Sequence, residues 1–362
     1  MFNGTGAFKN LGRRLSFVSN VGTLVVPTSK EQYLQKSVRL PEALFSHSDQ
    51  QTQWQTSVPQ GMAQLRGWAG RMADVLHSTV NSGSTSMSIS LAGNNVQQIG
   101  EKTGQFAITR NGALTLSGNA NNPNSLIGRK NAAYDSLMSQ TYGNLMQDAF
   151  AKYSKASLDE QSNFAGLYDG VTLSRRAENR FPKTKIGDDL KAAVKTIAIR
   201  NQLGLRRSTI FIKMGGWDHH GELAGPLNTM LTQLSQAVHA FQLALNELRL
   251  EDDVIGFTAS DFGRTLRSNG RGTDHAWGGN QMVWGGPIDA GHVRGTFPDL
   301  ELGSNDDAGF GGRIIPTTST DEYYASLVKW FGVPNSSFGD ILPNLSNFTN
   351  IRRNPDPANI IS

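Results

Sequence analysis

Three glycine-framed loops carry the side chains best suited to chemistry. Gly215-Gly216-Trp217-Asp218-His219-His220 sets an acid and two imidazoles after an apolar run. Ser260-Asp261-Phe262-Gly263-Arg264-Thr265 adds a second acid and a cation, and Gly272-Thr273-Asp274-His275-Ala276-Trp277-Gly278-Gly279 adds a third acid and a further His. Carboxylate with neutral imidazole is a ligand set for zinc, manganese or iron, with a position left open for water or substrate. A lone Asp-His pair after a strand more often serves as a cap or turn hydrogen bond, but three such loops favour a shared polar site. Arg264 is suited either to an anionic oxygen such as phosphate or sulfate, or to a salt bridge with Asp261 or Asp274. His47 and Asp49, in Leu44-Phe45-Ser46-His47-Ser48-Asp49, either join that site or fasten their own turn. Trp217 and Trp277 could line a pocket, although core packing is the commoner role, and His77, His239 and His292 read as ordinary helix or surface positions.

These loops need a scaffold that brings them to one edge. Residues 208–214 and 253–259 read as buried strands, and residues 227–250 as an amphipathic helix with Leu227, Leu231, Leu234, Val238, Phe241, Leu245 and Leu248 on one stripe. Together they predict a βαβ unit whose strands end on the same side of a parallel sheet, where ligands of open α/β folds usually sit. Residues 15–26 read as a buried strand and turn, and residues 44–49 as a strand feeding a functional loop. Helical patterns cover 61–77, 132–153 and 188–202. Residues 83–122 alternate and contain the turn Arg110-Asn111-Gly112, which predicts a β-hairpin insertion in a single domain spanning 1–362. Ser319-Thr320-Asp321-Glu322 is a capping-box start for a helix to about Phe331, stopped by Gly332 and Pro334.

Composition narrows the function classes. With 362 residues and 38% hydrophobic content the chain can bury a large core. A net charge of only +4, without a basic run, argues against a nucleic-acid footprint. Cysteine is absent, so any metal must be held by oxygen and imidazole. No apolar run reaches the roughly 18–20 residues that a membrane span needs. Arg13-Arg14-Leu15-Ser16-Phe17 imitates a twin-arginine export signal. Ser, Asn, Gly and Thr nevertheless interrupt residues 18–26, and no small-residue cleavage site is present, so no convincing signal peptide is expected.

The three loops resemble those of the bacterial family called domain of unknown function 1501, itself similar to the alkaline phosphatase and sulfatase superfamily. The resemblance extends to Phe17-Val18-Ser19-Asn20-Val21-Gly22-Thr23-Leu24, to Leu44-Phe45-Ser46-His47-Ser48-Asp49-Gln50, to Gly285-Gly286 and to Arg313-Ile314-Ile315-Pro316-Thr317-Thr318, so it covers nearly the whole chain. It implies an alkaline phosphatase-like α/β fold, a mostly parallel sheet flanked by helices on both faces, and Asp218, His220, Asp261 and His275 as metal ligands. Relatives usually begin with an export signal and a strand ending in a Gly-Gly-Asn-Asp-Ser-like loop, where the wider superfamily places a first ligand and the nucleophile. The first 30 residues contain no such loop, which leads us to expect a chain that starts after that point. Phe262 also stands where the phosphatases place a His, which counts against a two-metal centre.

The resulting expectation is a metal-dependent hydrolase-like protein acting on phosphate or sulfate esters. Asp218, His220, Asp261 and His275 would hold a divalent zinc, manganese, iron or calcium ion, and Arg264 and His47 would act on the substrate. The rival expectation is a non-catalytic or truncated member that uses the scaffold to bind a partner or a glycan.

Overall fold

The apolar run near the start of the chain becomes strand β1 (Leu15–Gly22), in which Val18 and Val21 are fully buried. Eight shorter strands follow: β2 (Ser88–Ser90), β3 (Gln105–Thr109), β4 (Gly112–Ala113), β5 (Thr209–Phe211), β6 (Ile255–Phe257), β7 (Gly279–Gly285), β8 (Val293–Arg294) and β9 (Thr318–Ser319). The computed structural model describes residues 14–61, 66–114, 122–288, 290–351, 353–354 and 356–361. Those residues form an α/β protein with two sheets, ordered β6-β7-β1-β8 with β9 also on β1, and β4-β3-β2-β5.

Both sheets are mixed rather than mostly parallel. β1 runs antiparallel to β7, with Phe17 opposite Met282, but parallel to β8 and β9. β2 is parallel to β3 and β5, with Ile89 opposite both Phe106 and Ile210, while β3 and β4 form an antiparallel hairpin around Arg110 and Asn111. The expected hairpin is therefore present, and through β2 its sheet is continuous with β5. Residues 115–121, which include part of the run expected to follow it, lie outside the described residues.

The predicted βαβ unit is corrected in one respect. β5, the helix Ala224–Glu247 and β6 follow in the expected order, but β5 and β6 end different sheets. Each strand is only three residues long and half-buried, unlike the long buried runs of central parallel strands. β6 pairs antiparallel with β7 instead, and it does so at very close range: a Cβ on Gly256 would lie 2.2 Å from the Trp284 ring. The helix buries its stripe only in its second half, through Val238, Phe241 and Leu245, and packs there against the helix Lys185–Ala198.

Local signals account for the other boundaries. The helical pattern over 132–153 resolves into two helices, Leu126–Met138 and Leu145–Asp169, because Asn144 takes extended geometry and its side chain accepts from the backbone of Met146 and Gln147. Residues 44–49 do not form a strand. Ala43 and Phe45 sit at φ 44° and 73°, which breaks extended pairing, and His47 becomes the first residue of the helix His47–Thr56. The predicted capping box does start the helix Thr320–Trp330, which packs on β1. One core cluster runs from Leu15 to Ile361 and takes in both sheets, through Val18 and Val283 of one and Ile89 and Phe106 of the other.

Asp321 lies fully buried in the first turn of that last helix. It accepts hydrogen bonds from Ser57 Oγ (2.8 Å) and from the Asn344 backbone N–H (3.0 Å). Desolvation pushes its pKa up to about 7 against the opposing pull of Ser57, Asn344 and Arg71. The carboxyl thus stays protonated in the folded chain where the unfolded chain has released the proton. Stability is therefore lost as pH rises from about 4 to about 7, by on the order of 1 kcal/mol per pH unit. Asp321→Asn is expected to remove that slope. Urea unfolding midpoints at pH 5 and pH 7.5 check it: the wild type should lose more stability between the two than the variant, and equal losses would contradict the assignment.

Candidate metal site

The three loops meet, and His47 completes them. Gly216, at φ 97°, turns the chain after β5 so that Asp218 faces the loop beyond β6. An isolated antiparallel bridge joins Arg264 to His275 and holds the second and third loops side by side. The helix His47–Thr56 then delivers His47 from its first position. The ligand-type atoms of His47, Asp218 and His275 all lie within 4.8 Å of one another.

Asp218 is the hub. Its Oδ2 lies 3.2 Å from His47 Nε2, while its Oδ1 lies 3.1 Å from His275 Nε2, 2.8 Å from His220 Nε2 and 2.6 Å from Arg264 Nη1. Burial works to raise its pKa, but hydrogen bonds from Arg264, His47 and His275 and the charge of His220 hold the carboxyl down at about 2. Asp218 is thus an anion across the whole physiological range.

Each of the two imidazoles is oriented from behind. His275 Nδ1 donates to the Phe45 carbonyl at 2.7 Å, which turns its Nε2 toward Asp218. His47 Nδ1 donates to Asp261 Oδ2 at 2.8 Å, and Gln51 Nε2 donates to the same oxygen at 2.9 Å. Burial lowers the His47 pKa, yet the hydrogen bonds and charges of Asp261 and Asp218 outweigh it and leave the net shift upward. The Phe262 ring backs both imidazoles, with centroids 4.7 Å from His47 and 4.4 Å from His275. Phe262 thus packs on both rings and sets their facing angle.

The expected ligands divide. Asp218 and His275 are in the three-residue group, and His47, expected as a substrate-acting residue, joins them. Asp261 stands behind His47 instead. His220 reaches the edge of the group, with its Nε2 2.9 Å from His275 Nε2 and its Nδ1 3.2 Å from Asp274 Oδ1, which in turn accepts from Asn269. That Asn269 hydrogen bond and the His220 contact lower the Asp274 pKa. Arg264 is turned inward: besides Asp218, its Nε donates to Thr273 Oγ1 at 3.1 Å and its Nη2 to the Thr273 carbonyl. Its salt bridge is to Asp218, not to Asp261 or Asp274. Asp49 fastens its own turn by accepting from Ser46 and Ser48.

Sequence reasoning missed Gln51, whose signal was its place one helical turn after His47, on the same helix face. It also missed the Phe45 carbonyl, a backbone group without a sequence signature. Trp277 is buried, donates to the Thr23 carbonyl at 2.8 Å and packs with Leu24, Ala308 and Ile315. Trp217 is half-buried and donates to Met214 O. Neither belongs to the group of His47, Asp218 and His275.

A family model described as "Protein of unknown function (DUF1501)" matches residues 7–308. No curated protein matches the chain. Among the described residues, no helix is long and apolar enough to cross a membrane.

Proposed function

We propose that this chain, which belongs to the DUF1501 family, is a metal-dependent hydrolase-like protein that holds one divalent cation on His47, Asp218 and His275 and acts on phosphate or sulfate esters. One observation carries the reading. Both imidazoles commit Nδ1–H to a fixed acceptor, so both turn Nε2 toward the oxygens of an ionised carboxylate at 3.1–3.2 Å. A proton or a divalent cation fits between such groups, and two backed imidazoles around one carboxylate are a ligand set for the cation. Ligands bound at about 2.0–2.2 Å from a common ion sit roughly 3–3.5 Å apart, and an imidazole backed by a carboxylate or carbonyl is the usual support of such a ligand.

When bound, the cation supplies Lewis acidity toward an anionic ester. The chain's own residues do the rest. Asp261 and Gln51 aim His47, the Phe45 carbonyl aims His275, and Arg264 fixes Asp218 through Nη1. Asp218 and His220 are 41% and 45% exposed, which leaves the site open to substrate. The similarity of the family's motifs to the alkaline phosphatase and sulfatase superfamily supports the same substrate class.

A second reading is favoured by Arg264, whose Nε and both Nη groups are committed to Asp218 and Thr273 rather than to incoming anions. It is a cation-binding scaffold without catalysis that presents this surface to a partner or glycan. Assay of zinc- or manganese-loaded protein on aryl phosphates and aryl sulfates separates the two. Turnover that chelation abolishes and the cation restores supports the hydrolase. A loaded protein inert toward both ester classes sinks the hydrolase and leaves the scaffold.

A further inference from the structure

Beside the cation group lies a second surface that shares His275 with it. The Arg313 guanidinium donates from Nε to the His275 carbonyl at 2.9 Å and lies over the Phe45 ring, 4.0 Å from its centroid. Phe45 in turn receives His275 Nδ1–H on its own carbonyl. The three residues close a ring of contacts, so the imidazole that faces Asp218 through Nε2 is tied to Arg313 through its backbone and to Phe45 through Nδ1.

Arg313 also meets Phe310, with the ring centroid 5.1 Å away. Phe310 is 76% exposed, and it is held there by an unusual backbone: Gly309, Phe310, Gly311 and Gly312 all have positive φ, from 58° to 98°. A non-glycine residue in the left-handed region is costly and persists where surrounding structure enforces it. That enforcement is visible. Leu266 N donates to Gly312 O and Arg267 N to Gly311 O, which stitches this loop to the segment that carries Arg264. The side chains of Leu266 and Leu302 flank Gly312, and both are exposed. Among the described residues no carboxylate pairs with Arg313, and the exposed Phe310, Leu266 and Leu302 make an apolar ledge at the loop that carries it.

We infer that Arg313 and Phe310 form a specificity subsite for the planar, apolar group of an anionic ester whose charged end sits at the cation group. This rests on the proposed function and narrows its substrate class to amphiphilic anions, charged at one end and ring-like at the other. A guanidinium lying on one aromatic face and flanked by another offers cation–π and stacking surface to a ring, while its free N–H groups bond the ester oxygens. Small alkyl esters reach the cation but leave the ledge empty.

Calorimetric titration of the zinc-loaded protein with two non-hydrolysable probes, phenylphosphonate and methylphosphonate, tests this without requiring turnover. Phenylphosphonate is expected to bind at least tenfold more tightly, and Phe310→Ala, a change at an exposed position, is expected to bring the ratio close to one. Equal affinity for the two probes, or a ratio that survives Phe310→Ala, overturns the subsite while metal-dependent binding of both leaves the proposed function standing. Failure of both probes to bind overturns the anionic-ester reading and this inference with it.

Discussion

Asp218→Ala is expected to abolish stoichiometric cation binding and to lower ester hydrolysis about a thousandfold, the several kcal/mol that a Lewis-acid cation contributes. Four groups converge on this carboxylate: His47, His220, His275 and Arg264. Its removal takes away the carboxylate that both Nε2 atoms face, the anion of the proposed ligand set, and it frees Nη1 of Arg264. Because the side chain is 41% exposed, the variant should still fold, and the larger loss should fall on cation binding. Circular dichroism should show a native fold, with a modest drop in the urea midpoint because four contacts to the carboxylate are lost. Metal content and hydrolysis, measured on the same preparation, check both halves; full activity in the variant would exclude Asp218 from the site.

Trp277→Ala is expected to cost about 3–5 kcal/mol, the range for truncating a buried aromatic side chain to Ala. The indole is 1% exposed, stacks at a tilt on Tyr33 (5.7 Å) and donates to Thr23 O. Its backbone also holds the site, since Gly263 N donates to the Trp277 carbonyl and Ala276 N to that of Gly263. Collapse around the missing ring should therefore displace His275, two residues earlier, and weaken cation binding together with stability. Trp277→Phe keeps most of the buried surface and loses the hydrogen bond to Thr23, for a loss of about 1 kcal/mol. Chemical denaturation of the two variants checks the order. A Trp277→Ala variant that unfolds like the wild type would mean that the ring lines a pocket instead of packing in the core.

How much of the site the sequence revealed depends on how each residue is placed. Asp218, Asp261, Arg264 and His275 sit in short glycine-framed loops, so their clustering was legible from types and spacing alone. His47 was legible as a candidate, but not as a neighbour of Asp218 and His275, because its place depends on Phe45 leaving extended geometry at φ 73° just before the helix His47–Thr56. Asp261 looked like a ligand by type; only the geometry shows its oxygen facing His47 Nδ1. Arg264 could pair with several carboxylates, and the chosen one, Asp218, is 46 positions away in the chain.

The fold was legible where periodicity is long. The helices near 188–202 and 227–250 lie within a few residues of the expected bounds. Strand partners were not legible, because β5 and β6 are three residues long and pairing direction leaves no mark in so short a run. The close approach of Gly256 to Trp284, which sets β6 against β7, is a contact between distant positions that periodicity does not encode.

Everything proposed for the site depends on His47, Asp218 and His275 holding a divalent cation. The most direct measurement is the metal content of the purified protein after dialysis against zinc or manganese and then against metal-free buffer, read by elemental mass spectrometry. One ion per chain is predicted for the wild type and none for Asp218→Ala. A wild type that retains no ion, or an Asp218→Ala variant that retains as much as the wild type, would contradict the assignment.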